Sequence, residues 1–134
     1  MKKPSIVVSL LLVLVPVAAD AQVNIVEALR QADGHGRIIA ADGRFLGVLS
    51  SDRLHETSIC NPIGEHGSNI GNASLWNQID KYGDRISDTS AYNTRASYPP
   101  QLVIANSAFY ITKNPRIKGI DPDVIRFALC EDNR

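Results

Sequence analysis

The chain is 134 residues long and carries 14 basic and 14 acidic side chains, a formal net charge of zero. Without a basic surplus or stripe it offers little to a phosphate backbone, which disfavours nucleic acid as a partner. Its length suits one domain with a modest core.

Residues 1–21 read as a secretory leader. Lys2 and Lys3 precede an apolar run from Ile6 to Val17, and Ala19-Asp20-Ala21 supplies an A-x-A cleavage site. That run is too short to span a bilayer. Cleavage after Ala21 leaves residues 22–134 as a single domain with 12 basic and 13 acidic residues. Nothing in that remainder is apolar for long enough to cross a membrane, so a periplasmic or secreted location is expected, with no membrane partner after cleavage. In such a compartment the two cysteines, Cys60 and Cys130, are most simply a disulfide. A catalytic thiol would need a neighbouring base, and only His55 and His66 lie near Cys60 in sequence.

After the leader, Asn24 with Glu27 three residues on has capping-box spacing and predicts a short helix, ended by Gly34 and Gly36. Residues 37–41 and 44–50 are β-rich and flank Asp42-Gly43, a strong hairpin signal; Ile38, Phe45 and Val48 are candidates for burial. Gly47 would weaken its strand unless another backbone passes close by. Residues 102–105 and 108–112 predict a second hairpin around Asn106-Ser107, with Phe109 and Ile111 on one face. Asp121-Pro122 then opens a last helix with Val124, Ile125, Ala128 and Leu129 towards the core.

Between the hairpins, residues 51–100 follow a sixteen-residue period. Ser58/Asn61, Ser74/Asn77 and Ser90/Asn93 recur at that spacing, and His66-Gly67, Tyr82-Gly83 and Tyr98-Pro99 close the units. Leu54, Ile70 and Ile86 form one apolar column, Ile59, Leu75 and Ala91 a second, and Ile63, Ile79 and Arg95 a third. Cys60, Trp76 and Tyr92 form a bulky fourth. Neither helix nor strand periodicity fits; Asx and Ser turns do, each unit giving two or three apolar side chains to a shared interior. The fold expected is therefore α+β: two hairpins in a small antiparallel sheet, a helix near each end, and an ordered turn-rich insertion.

These stretches resemble a group of uncharacterised secreted bacterial proteins with tandem S-x-x-N-P-[YF]-G-x-[YH]-G-S units. The matching stretches are residues 42–50, 58–68, 96–100 and Asp121-Pro122. The resemblance implies no activity, substrate or catalytic residue. Ile63 and Ile79 stand where its units favour an aromatic, and Asp80 and Asp84 replace Gly and Ser.

The repeated residues are turn-formers and small apolar anchors, unsuited to proton transfer, so a non-enzymatic structural or binding domain is expected, with a protein or saccharide as ligand. Trp76, Tyr82, Tyr92 and Tyr98 are the candidate stacking residues, with Tyr110 a further aromatic. The alternatives are a small hydrolase or lyase using His66 with Glu65, and a metal module built from Asp80, Asp84 and Asp88. No cofactor motif is present, and His55, Cys60 and His66 lack zinc-ligand spacing.

Overall fold

The structure is a computed structural model and describes residues 21–131, with side chains from 24 onward. Apart from Ala21, the expected leader lies outside the described residues. The elements run α1 (Ala21–Gln31), β1 (Gly36–Ile39), β2 (Phe45–Leu49), β3 (Gln101–Ile104), β4 (Ser107–Ile111), β5 (Gly119–Ile120) and α2 (Pro122–Leu129). This is an α+β fold with a helix near each end. The helix already contains Ala21, so Asn24 sits inside α1 and does not cap it.

The sheet has five strands in the order β2-β1-β3-β4-β5, more than the two expected hairpins. Both hairpins form, and β1 joins them by pairing antiparallel with β3, Ile38 opposite Leu102. The added strand is β5, which runs parallel to β4 and makes the sheet mixed. It is only two residues long, too short to carry a sequence pattern of its own.

The turns differ in detail from the two-residue loops expected. Ala40 N–H donates to Arg44 O, Gly43 N–H donates to Ala40 O, and Gly43 alone has positive φ, at 89°. The Asp42-Gly43 turn is therefore a longer loop closed by a left-handed glycine. In the second hairpin Ile104 pairs with Ser107, which makes Ala105-Asn106 the turn. Ala105 takes φ 53°, where its Cβ crowds the backbone. Replacing it by Gly should raise stability by about 1 kcal/mol. An Ala105→Gly variant unfolding at lower urea than the wild type would contradict this.

Gly47 shows why a glycine stands in β2. A Cβ there would lie 2.8 Å from His66 Cβ and 3.0 Å from Thr57 O, because residues 57–59 run alongside. Val48 N–H donates to Thr57 O, and Ile59 N–H donates to Val48 O.

From β2 to β3 the chain makes turns, with no helix and no strand among residues 51–100 beyond an isolated bridge from Val48 to Ser58. The amides of Cys60, Trp76 and Tyr92 donate to the hydroxyls of Ser58, Ser74 and Ser90 at 3.0, 3.1 and 3.0 Å. Asn61, Asn77 and Asn93 each accept the amide two residues on and donate through Nδ2 to the carbonyl six residues back. Asp52, Ser68 and Asp84 capture the amides of Leu54, Ile70 and Ile86 in the same way. These polar side chains, of which the Ser58, Ser74, Ser90, Asn61, Asn77 and Asn93 sets are buried, substitute for a backbone ladder.

Burial divides the apolar columns. Ile59, Leu75 and Ala91 are fully buried, beside Cys60 and Trp76. Leu54, Ile63, Ile70, Ile79 and Ile86 are 79–91% exposed, contrary to the shared interior expected. Each of the five lies two residues after the side chain that captures its amide, at a turn apex, which the surrounding polar backbone keeps in solvent.

The core joins this segment to the sheet and helices through Ile38, Leu46, Leu49, Leu102, Ile111, Ile125 and Leu129. Phe45 and Val48 are only half-buried, and Phe109 is exposed although Ile111 on the same face is buried. Helix α2 begins as expected: Asp121 caps it by accepting Asp123 N–H at 2.8 Å, and Pro122 holds the first helical position. Ile125, Ala128 and Leu129 face inward, and α1 packs beside α2, with Arg30 Nε donating to Ala128 O. Cys60 and Cys130 form a disulfide that fastens the turn segment to the end of α2.

Candidate functional site

Where residues 76–94 meet α2, a cleft of about 530 Å³ opens. Trp76, Arg85, Tyr92, Lys113, Asp123 and Arg126 line it, drawn from the turn segment, the loop after β4 and the helix. Trp76 is anchored by its indole N–H, which donates to Ile59 O at 2.7 Å. Only 3% of Trp76 is exposed, and one face is occupied by the Arg126 guanidinium 4.8 Å from the ring centre. Tyr92 stands edge-on to it with ring centres 6.5 Å apart.

A charged triplet closes one wall. Tyr92 Oη donates to Asp123 at 2.8 Å, and Lys113 Nζ lies 2.7 Å from Asp123 and 3.0 Å from Asp121. Burial pushes the Tyr92 hydroxyl well above its ordinary value, and the hydrogen bond to Asp123 adds to that. The Asp123 carboxylate holds the Lys113 ammonium protonated to higher pH, and Lys113 in turn holds Asp123 below the usual carboxylate range.

A depressed carboxylate contributes stability above its unfolded value near 3.8 and loses it as pH falls through the folded value. The melting temperature of Asp123→Asn should therefore fall furthest below that of wild type near about pH 7, with the gap closing below about pH 4. A gap that persists unchanged into acid would remove the charge as its cause.

The guanidiniums are held differently. Arg85 makes no hydrogen bond or ion pair among the described residues, and Arg126 bonds only the Asn69 amide oxygen, at 3.1 Å. The cleft's one carboxylate is already engaged by Lys113 and Tyr92, so its remaining field is positive.

Of the four aromatic candidates, the fold brings Trp76 and Tyr92 together here. Tyr82 is buried elsewhere, its hydroxyl donating to Asp42 at 2.7 Å, and Tyr98 is 62% exposed away from the cleft. That Tyr82 hydrogen bond, then the Arg44 N–H and to a smaller extent Lys81, hold the Asp42 carboxyl below the usual carboxylate range. Tyr110 is exposed on β4.

Glu65 and His66 diverge. Glu65 pairs with Arg44 at 3.0 Å in solvent. His66 is buried, its Nδ1 donating to Ala73 O at 2.9 Å and its ring edge-on to Phe45. Held by that bond and by Phe45, the ring serves the core and has no catalytic partner in Glu65. The three aspartates are likewise taken up locally: Asp80, Asp84 and Asp88 accept the amides of Lys81, Ile86 and Ser97, among others. Among the described residues no three His, Cys, Asp or Glu gather where a metal could bind, and no helix is long and apolar enough to cross a membrane.

The sequence candidates did not include Arg85, Lys113, Asp123 or Arg126. For Arg85 alone a signal existed: Arg53, Asn69 and Arg85 are sixteen apart, and the first two meet the C-cap of α2 through Cys130 O and the helix itself through Arg126. That column therefore faces the helix. Comparisons with protein-family models, curated proteins and solved structures find no match.

Proposed function

We propose that this is an exported, non-enzymatic binding domain, and that the cleft between residues 76–94 and α2 holds an acidic saccharide. One observation carries the assignment: Arg85 and Arg126 line a walled space beside Tyr92 without an ion pair, while the one carboxylate there, Asp123, is held by Lys113 and Tyr92. An arginine fork suits the carboxylate or sulfate of an acidic sugar, Tyr92 offers a ring to pack on, and Gln78 and Thr94 offer hydrogen bonds to hydroxyls. Cleft volume falls in the range typical of ligand sites. Export is supported by the leader pattern of residues 1–21 and by the disulfide, and a mature chain starting at Gln22 would be its signature.

In this proposal the turn segment is three copies of one unit whose columns Ser58/Ser74/Ser90 and Asn61/Asn77/Asn93 hold the backbone, with Gly67 and Gly83 at the closures. The equivalent hydrogen bonds at sixteen-residue intervals support it. Its part in function is rigidity, presenting Arg85 and Tyr92 to the helix at a fixed distance.

Calorimetric titration of the mature protein tests the assignment. Digalacturonate should bind, neutral galactobiose should not, and Arg85→Ala should weaken binding severalfold at unchanged melting temperature, since Arg85 is exposed. Equal binding of both sugars, or an Arg85→Ala variant that binds as wild type, would overturn it.

A further inference from the structure

The cleft does not end at Thr94. A second concavity of about 600 Å³ shares Arg85 and Thr94 with it and adds Asp88 and Arg95. A third, of about 790 Å³, shares Thr94 and Arg95 with the second and continues over Ser97, Asn114 and Arg116. The three adjoin through these shared wall residues, and Arg126, Arg85, Arg95 and Arg116 line them in that order.

None of these four guanidiniums is in an ion pair; the ion-paired cations among the described residues are Arg44, Lys81 and Lys113. The two carboxylates on the path are otherwise engaged. Asp88 accepts Ser97 N–H at 2.7 Å, and Asp123 is held by Lys113 and Tyr92. Four guanidiniums outside any ion pair thus line the path against two carboxylates that already accept hydrogen bonds, so its net charge is positive. Arg95 and Arg116 are presented by the same device, each amide captured by an asparagine two residues earlier, Asn93 or Asn114, at 2.9 and 3.0 Å. Asn114 is itself buried and donates to Ala96 O at 2.9 Å, which locks the β4–β5 loop onto residues 93–97.

Building on the acidic-saccharide assignment, we infer that these three contiguous clefts form one basic groove that binds an acidic polysaccharide along its length. The lining decides against single-stranded nucleic acid, which is held by a succession of stacking aromatics as well as by charge. Only the first cleft contains aromatic side chains; beyond it the groove offers Thr94, Ser97 and Asn114, neutral groups suited to sugar hydroxyls.

Oligogalacturonates of increasing length, titrated into the mature protein, provide the test. Hexagalacturonate should bind at least about tenfold more tightly than digalacturonate, and the gain should shrink as salt rises. Arg95→Ala and Arg116→Ala should each weaken hexagalacturonate about threefold to tenfold and leave digalacturonate unchanged, whereas Arg85→Ala weakens both. Both new positions are exposed, so the variants should melt with the wild type. Digalacturonate binding with no gain for hexagalacturonate, or hexagalacturonate binding unweakened by Arg116→Ala, would overturn the groove and leave the first cleft standing. Failure of both oligomers would overturn both, and a single-stranded oligonucleotide binding as tightly as hexagalacturonate would overturn the polysaccharide class.

Discussion

Gly67→Ala should destabilise the protein by about 3 kcal/mol, read as a lower urea midpoint at unchanged slope. A Cβ at Gly67 would stand 2.1 Å from Asn61 O and 2.6 Å from Asn61 N, and at Gly83 it would stand 2.4 Å from Asn77 O and 2.5 Å from Leu75 O. In each case the obstacle is backbone of the same turn, already committed: Asn61 O accepts Gly64 N–H, and Asn77 O accepts Asp80 N–H. Relief therefore means breaking hydrogen bonds inside a buried stretch. Neither glycine lies in the left-handed region, so close approach is the reason for it and not a special dihedral. Gly43 provides the contrast, with φ 89° and open space around its missing Cβ. Gly43→Ala should cost only about 1 kcal/mol. Finding the two substitutions equally mild would mean that the turns have room to relax.

Removing the disulfide should cost about as much. Cys60 and Cys130 are 70 residues apart, and closing a loop of that size stabilises by about 4 kcal/mol through the unfolded chain's lost entropy. Against a total of about 5–15 kcal/mol for a domain, that is a large share. The bond is also what fastens the turn segment to α2, the two sides of the candidate cleft. A double Cys60→Ala, Cys130→Ala variant should show a guanidinium midpoint well below wild type and weaker digalacturonate binding at temperatures where it is still folded. Alanine avoids placing a hydroxyl at Cys60, which is only 4% exposed. An unchanged midpoint would mean that packing alone holds the two sides together.

The pairing of Cys60 with Cys130 was legible from a count of two and from the oxidising compartment that the leader pattern leads one to expect. Other features were legible because they are local. The Asp121 cap and Pro122 at the first helical position act within three residues, and the serine and asparagine turn bonds reach two to six. A side chain two residues from the amide it captures needs no tertiary context, so spacing in sequence carries it. The strand runs of the first hairpin belong to the same class, although the register showed a longer turn than the Asp42-Gly43 signal implied.

What the sequence by itself determined is thus that a helix lies near each end, that both hairpins form, and which Ser and Asn side chains capture the turns of residues 51–100. Only the tertiary structure decided which apolar column is buried: Ile59, Leu75 and Ala91 go inside while Leu54, Ile70 and Ile86, equally apolar and equally spaced, stay in solvent. It also decided the β1–β3 pairing, the parallel β5, the separation of Glu65 from His66, and the meeting of Arg85 with Arg126. Each of these depends on segments far apart in the chain, whose approach is set by many small packing terms and not by any one residue's preference.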